Sequence, residues 1–308
     1  MQVSVVQLVA TVVVNASYAL MIGVMAAQTW SRHMGVGQRQ IVPGKLQTAM
    51  GVGLAAGLAA TLLSLWQASA TMADVPLLES GPSLWVMFAN TSYGRFGLAS
   101  VLMLVLGAVL YFARRLHWQS SAHRAALLGF LVVFAICRVA TGHAAEGELL
   151  GVATATELIH VLSMALWFGV VIVAAWVVLP TIGRDAAPRS IAPYLTSLSS
   201  WATGALAAVL ATGIYNAFRV LNQPAELGST EYGWVLTTKL CLVGIAIALG
   251  GWNRFIGFPA VLTAVGEPDS KKNNLHAITW VLRAESIALL IVLLAAALLT
   301  ANAPPSSN

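Results

Sequence analysis

The stretch Val152-Ala-Thr-Ala-Thr-Glu-Leu-Ile-His-Val-Leu-Ser-Met-Ala-Leu-Trp-Phe-Gly-Val-Val-Ile-Val-Ala-Ala-Trp-Val-Val-Leu179 decides how the rest of the chain is read. It is an apolar run, and a helix of about 20 residues suffices to cross a hydrocarbon layer of about 30 Å. Its hydrophobicity is uniform, whereas a barrel strand alternates apolar and polar residues. Within the run stand a carboxylate, an imidazole and a thioether, Glu157, His160 and Met164, followed by Trp167. Ionisable groups are costly inside a bilayer and usually have a function there.

The rest of the chain has the same character. Hydrophobic residues make up 58% of the 308 positions and charged residues 9%, more oil than a water-soluble core of this size could hide. Further membrane-length runs cover Val3–Trp30, Leu46–Ala70, Tyr93–Phe112, Ala125–Thr141, Ile191–Leu221, Tyr232–Trp252 and Ala277–Thr300. The expected fold is all-α, a polytopic bundle of eight transmembrane helices. No basic segment precedes the first run, which reads as a permanent helix.

Charge sets the orientation, because loops rich in lysine and arginine stay in the cytoplasm. Most of the 16 basic residues fall on one side. Arg32, Arg39 and Lys45 lie in the first connection, Arg114, Arg115 and Arg124 in the third, Arg184 and Arg189 in the fifth, and Arg254, Lys271 and Lys272 in the seventh, with Arg283 just beyond. Asp74, Glu79, Glu146, Glu148, Glu226 and Glu231 gather on the other side. Both termini are therefore expected outside an inner (plasma) membrane. The net charge of +5 belongs to these retention loops and does not imply a nucleic-acid partner. The sequence has no Gly-x-x-x-x-Gly-Lys-Ser/Thr loop, which argues against an ATP-driven pump.

Two short likenesses suggest an internal parallel repeat of four-helix halves, residues 1–145 and 146–308. Leu20-Met-Ile-Gly23 resembles Leu166-Trp-Phe-Gly169, and Ser92-Tyr-Gly94 resembles Glu231-Tyr-Gly233. The first-half counterpart of the fifth helix has no histidine, so a ligand site on that helix belongs to the second half.

Glu157, His160, Met164 and Trp167 are spaced 3, 4 and 3 apart, which predicts a stripe along one helix face. His143, in Thr141-Gly-His-Ala-Ala, ends the preceding helix, so a short loop could bring both imidazoles to one site. Imidazole and thioether donors suit copper, while hard dications want several oxygens. The expected metal ligands are His143, His160, Met164 and Glu157, with Glu146 and Glu148 gathering ions at the outer mouth. Met21 and Met25 read as packing residues, and Cys137 and Cys241 as small apolar ones. Lys239, Arg138 and Glu285 read as snorkelling or paired groups. Asn216 and Asn253 read as interhelical hydrogen bonders.

The ordered motifs Thr141-Gly-His-Ala-Ala, His160 to Gly169, Thr212-Gly-Ile-Tyr-Asn216, Glu231-Tyr-Gly233 with Lys239, and Trp252-Asn-Arg254 resemble the copper resistance protein D (CopD) family, most strongly over 138–254. The resemblance implies a multi-spanning inner-membrane protein of copper uptake or tolerance. It also implies a periplasmic partner of the CopC type, and it maps the family histidines onto His143 and His160. A second likeness, histidine followed seven residues later by tryptophan and then glycine, is similar to the membrane protoporphyrinogen-oxidase family. That alternative implies b-type haem on the same histidines and an oxidoreductase. A third reading is a structural or assembly factor with no substrate of its own.

Overall fold

In lipid no water satisfies stray backbone polar groups, so an apolar chain of this kind closes its N–H and C=O groups within helices. The computed structural model describes residues 4–113, 120–142, 151–182, 188–220, 230–263 and 268–301. Among these residues eight helices are long and apolar enough to cross a membrane: Val5–His33, Gln40–Ala73, Ser92–Ala113, Ser121–Ala140, Val152–Ile182, Ser190–Arg219, Tyr232–Thr263 and Asn273–Thr300. We number these spans one to eight. Each predicted run has its counterpart.

The differences lie at the ends. The second helix begins at Val36 and runs through Pro43, so Arg39 and Lys45 are helical and not in a loop. The seventh continues past Trp252 through a wide π turn, Asn253–Gly257, into Phe258–Thr263. Its continuation makes Arg254 part of the helix, where it donates to Ser199 O and Oγ at 3.2 and 2.8 Å and to Thr203 Oγ1 at 2.9 Å. A short helix, Gly81–Asn90, fills what read as a loop, with proline in its first turn, where a missing N–H costs nothing. The backbone at Gly94 lies directly against the Met87 carbonyl, leaving no room for a Cβ.

The fifth span also contains a wide turn, Ala174–Val178. In an unbroken α-helix Trp167 and Trp176 would point to roughly opposite faces; the wide turn narrows that angle. Both reach the eighth span, Trp167 through Glu285 and Trp176 through Ser286, with Nε1–O distances of 3.1 and 3.0 Å.

The first and fifth spans form the centre. They cross at Gly23 and Gly169, each glycine seated on the other's main chain and Gly169 also on that of Ala19, the close approach that small residues permit between membrane helices. The first span packs on the second, fourth and eighth, and the fifth on the sixth, fourth and eighth. Polar and aromatic contacts add to this packing. Gln7 Nε2 donates to Ser64 Oγ at 3.1 Å and the Tyr111 hydroxyl to Gln47 O at 2.8 Å. Tyr18 meets Phe134 and Trp30 meets Tyr194, with ring centroids 5.4 and 5.9 Å apart. Met21 and Met25 are buried in this core. The sixth and seventh spans are the least buried of the eight, and Trp201, Phe218, Trp234 and Phe255 are exposed along them.

Candidate functional site

The fifth and sixth spans run antiparallel, and their polar residues pair in that sense. Asn216 Nδ2 donates to Glu157 Oε2 at 2.8 Å, and His160 Nδ1 lies 2.9 Å from Thr212 Oγ1. Residues three apart on one helix thus meet residues four apart on the other, as facing helical surfaces allow. Thr212 donates its own hydroxyl proton to the Ala208 carbonyl at 2.6 Å. Its oxygen is then an acceptor for an imidazole N–H, which places the histidine proton on Nδ1 and leaves Nε2 as a lone-pair donor. Gly213 lies in ordinary contact with the ring, where a Cβ would stand 3.5 Å from Cε1.

Charge collects around Glu157 from several helices. Lys239 of the seventh span, Arg219 of the sixth and Arg138 of the fourth all act on its carboxylate, and Lys239 acts on His160 as well. Lys239 and Arg138 are therefore set among polar partners inside the bundle, and Arg138 also donates to Thr141 Oγ1 at 3.3 Å. Asn216 keeps Oδ1 buried without a hydrogen-bond partner among the described residues, a second oxygen able to receive a guest. One turn further in, a groove of about 370 Å³ runs between the fifth and sixth spans, lined by Ser163, Leu166, Ser200, Trp201, Gly204, Ala205 and Ala208.

The predicted stripe does not stay on one face. Glu157 and His160 face the sixth span, Met164 packs half-buried against the core, and Trp167 turns to Glu285 of the eighth. Ten residues at 3.6 per turn fall short of three full turns by about 80°, which is why the stripe winds away. His143, Glu146 and Glu148 lie outside the described residues. The fourth and fifth spans that flank that segment do touch. Among the described residues no three His, Cys, Asp or Glu side chains converge. Cys137 is buried and Cys241 exposed, both free.

Thr212 was not among the expected site residues. Its trace in the sequence is the four-residue spacing of Thr212 and Asn216, which places two hydrogen-bonding side chains on one face of an apolar helix. Groups that orient a metal-binding imidazole are typically worth about 10–100-fold in affinity. Thr212→Val, which keeps the shape and removes the acceptor, is expected to weaken copper binding by about that factor, measured by titration against a competing chelator.

The fold and these side chains together define a multi-pass membrane protein with an imidazole and a carboxylate held between spans. A family model described as copper resistance protein D matches residues 192–299, and one described as copper resistance protein D-like, N-terminal domain, matches residues 1–152. The chain belongs to the copper resistance protein D family. Glu157, His160 and Met164 lie between the two matched ranges. Among curated proteins the chain is similar to the copper transport protein CutJ of Bacillus subtilis (strain 168), 24% identical over 227 residues. That alignment covers 73% of this chain but 37% of the relative, so the chain spans little more than a third of that protein. No solved structure matches the chain.

Proposed function

We propose that this protein is an inner-membrane transporter that takes copper ions from the periplasmic side and passes them inward without chemical conversion. Copper is the substrate, Glu146 and Glu148 gather it, and a periplasmic CopC-type protein delivers it. His160, His143 and Met164 hold the ion, and Glu157 supplies an oxygen or receives a displaced proton. The two four-helix halves, 1–145 and 146–308, divide the work, with ligands only in the second. Both termini face the periplasm.

The observation that supports this reading most is the His160–Thr212 contact of 2.9 Å. It orients the ring from behind, as outer-sphere partners do for metal-binding histidines. Family membership and the name of the curated relative point the same way.

The test is made on purified protein reconstituted in vesicles. The expected result is a colourless protein that binds stoichiometric copper by elemental analysis and lets copper accumulate in the lumen. A Soret band without copper would favour the haem oxidoreductase, and neither copper nor haem would favour an assembly factor.

A further inference from the structure

The copper site leaves one buried carboxylate unused. Glu285, 12 residues into the eighth span, is 2% exposed. Trp167 of the fifth span donates to its Oε1 at 3.1 Å. The seventh span passes so close at Gly250 that a Cβ there would come within 3.0 Å of the same oxygen. Asn253 approaches the carboxylate from the wide turn of that span. It is 1% exposed, and among the described residues neither its Oδ1 nor its Nδ2 closes a hydrogen bond. Wide turns of this kind are frequent at functional sites.

Among the described residues no basic group balances Glu285, whose polar contacts are the Trp167 and Asn253 side chains. The first span, packed on the eighth, has no charged residue over Val5–Trp30. On the fifth span Glu157 and His160 lie toward the other end, His160 about 10 Å along the helix from Trp167, and Trp176 is engaged with Ser286. On the seventh, Lys239 is about 16 Å along the axis from Gly250, and Arg254 is held by Ser199 and Thr203. On the eighth, Arg283 lies over the Trp176 and Trp280 rings, 4.8 and 5.2 Å from their centroids, and His276 accepts from Trp280 at 2.7 Å.

An ionised carboxylate stranded this way is unfavourable, whereas a protonated one that accepts from an indole and donates to an amide oxygen is not. The free carboxamide of Asn253 serves both forms, with Oδ1 accepting from the acid and Nδ2 donating to the carboxylate. The donors are all oxygen, with one carboxylate among them, a poor set for copper and too few for a hard dication. We propose that Glu285, Asn253 and Trp167 form an intramembrane proton site, loaded and emptied as copper crosses, so that transport is coupled to protons. The coupling rests on the copper-transport reading; the proton site does not. Trp167 and His160 share one helix, about 10 Å apart along its axis, so the proton site and the copper site lie on the same span.

Infrared difference spectra between mildly acidic and mildly alkaline buffer read the site directly. Wild type is expected to show a buried-acid C=O band that is missing in Glu285→Gln and shifted in Asn253→Ala. No such band in wild type, or its persistence in Glu285→Gln, overturns the proposal. Loss of the band on adding copper at constant pH to His160→Ala protein would mark Glu285 as a metal ligand and overturn it too.

In copper-transporting vesicles, one unit of pH difference is expected to change copper accumulation about tenfold for a one-to-one exchange. Glu285→Gln should keep equilibrium copper binding and lose that response, while Glu285→Asp retains part of it. A full gradient response in Glu285→Gln refutes the coupling. If Glu285→Gln does not fold, Asn253→Ala must lose the response in its place. The C=O band without any copper flux in wild type supports the proton site and refutes the transport reading.

Discussion

His160→Ala is expected to abolish stoichiometric copper binding by the purified protein and to reduce copper accumulation in cells to the level of cells lacking it. The loss should exceed the roughly 10–100-fold that removal of an orienting partner costs, because the substitution deletes the donor and not its support. The fold should survive. Thr212 keeps its bond to the Ala208 carbonyl at 2.6 Å, and Asn216 keeps Glu157 at 2.8 Å, so neither helix is left with a newly stranded polar group. Unchanged thermal stability beside lost copper binding, read on one preparation, separates a ligand from a packing residue. Copper binding equal to wild type would remove His160 from the site.

Gly169→Leu is expected to have the largest effect on stability. The position has no space to yield, because a Cβ there meets the Ala19 carbonyl and the Gly23 amide nitrogen, both main-chain atoms. Overpacking in cores typically costs about 1–3 kcal/mol. Here neither neighbour can change rotamer to make room, so the cost falls at or above the top of that range. Gly23→Leu should behave alike from the other side. Gly244→Ala and Gly129→Ala, where nothing stands within 4 Å, serve as neutral controls. Thermal aggregation in mild detergent is the measurement, and a Gly169→Leu protein as stable as the controls would contradict the crossing.

Most of the fold was legible because a bilayer imposes a length rule that apolar runs obey. The rule breaks down where a helix outlasts its oily segment. Trp252-Asn-Arg254 reads as the end of a span because two polar side chains follow a tryptophan. The helix goes on because Asn253 buries into the bundle and Arg254 reaches Ser199 and Thr203. Glu285 read as a group that snorkels or pairs, but its partner is an indole from a span more than a hundred residues away, which no local spacing reveals. At the candidate site, Glu157, His160 and Asn216 were legible as polar residues in apolar helices. Thr212 was not, since threonine commonly bonds its own helix backbone and carries no signal unless the facing residue is known. The stripe expected to unite Glu157 with Trp167 divides because helical repeat and side-chain spacing drift apart.

The peripheral position of the sixth span has a mechanical consequence. Thr212 and Asn216 hang on a helix that borders lipid, while His160 and Glu157 stand on one anchored to the first span by a bare backbone crossing. Ile191, Tyr194 and Leu195 pin the start of the sixth helix in the core, whereas Thr212 and Asn216 stand on its less buried far half, so the composition of the surrounding lipid or detergent should affect how closely that half seats on the imidazole and the carboxylate.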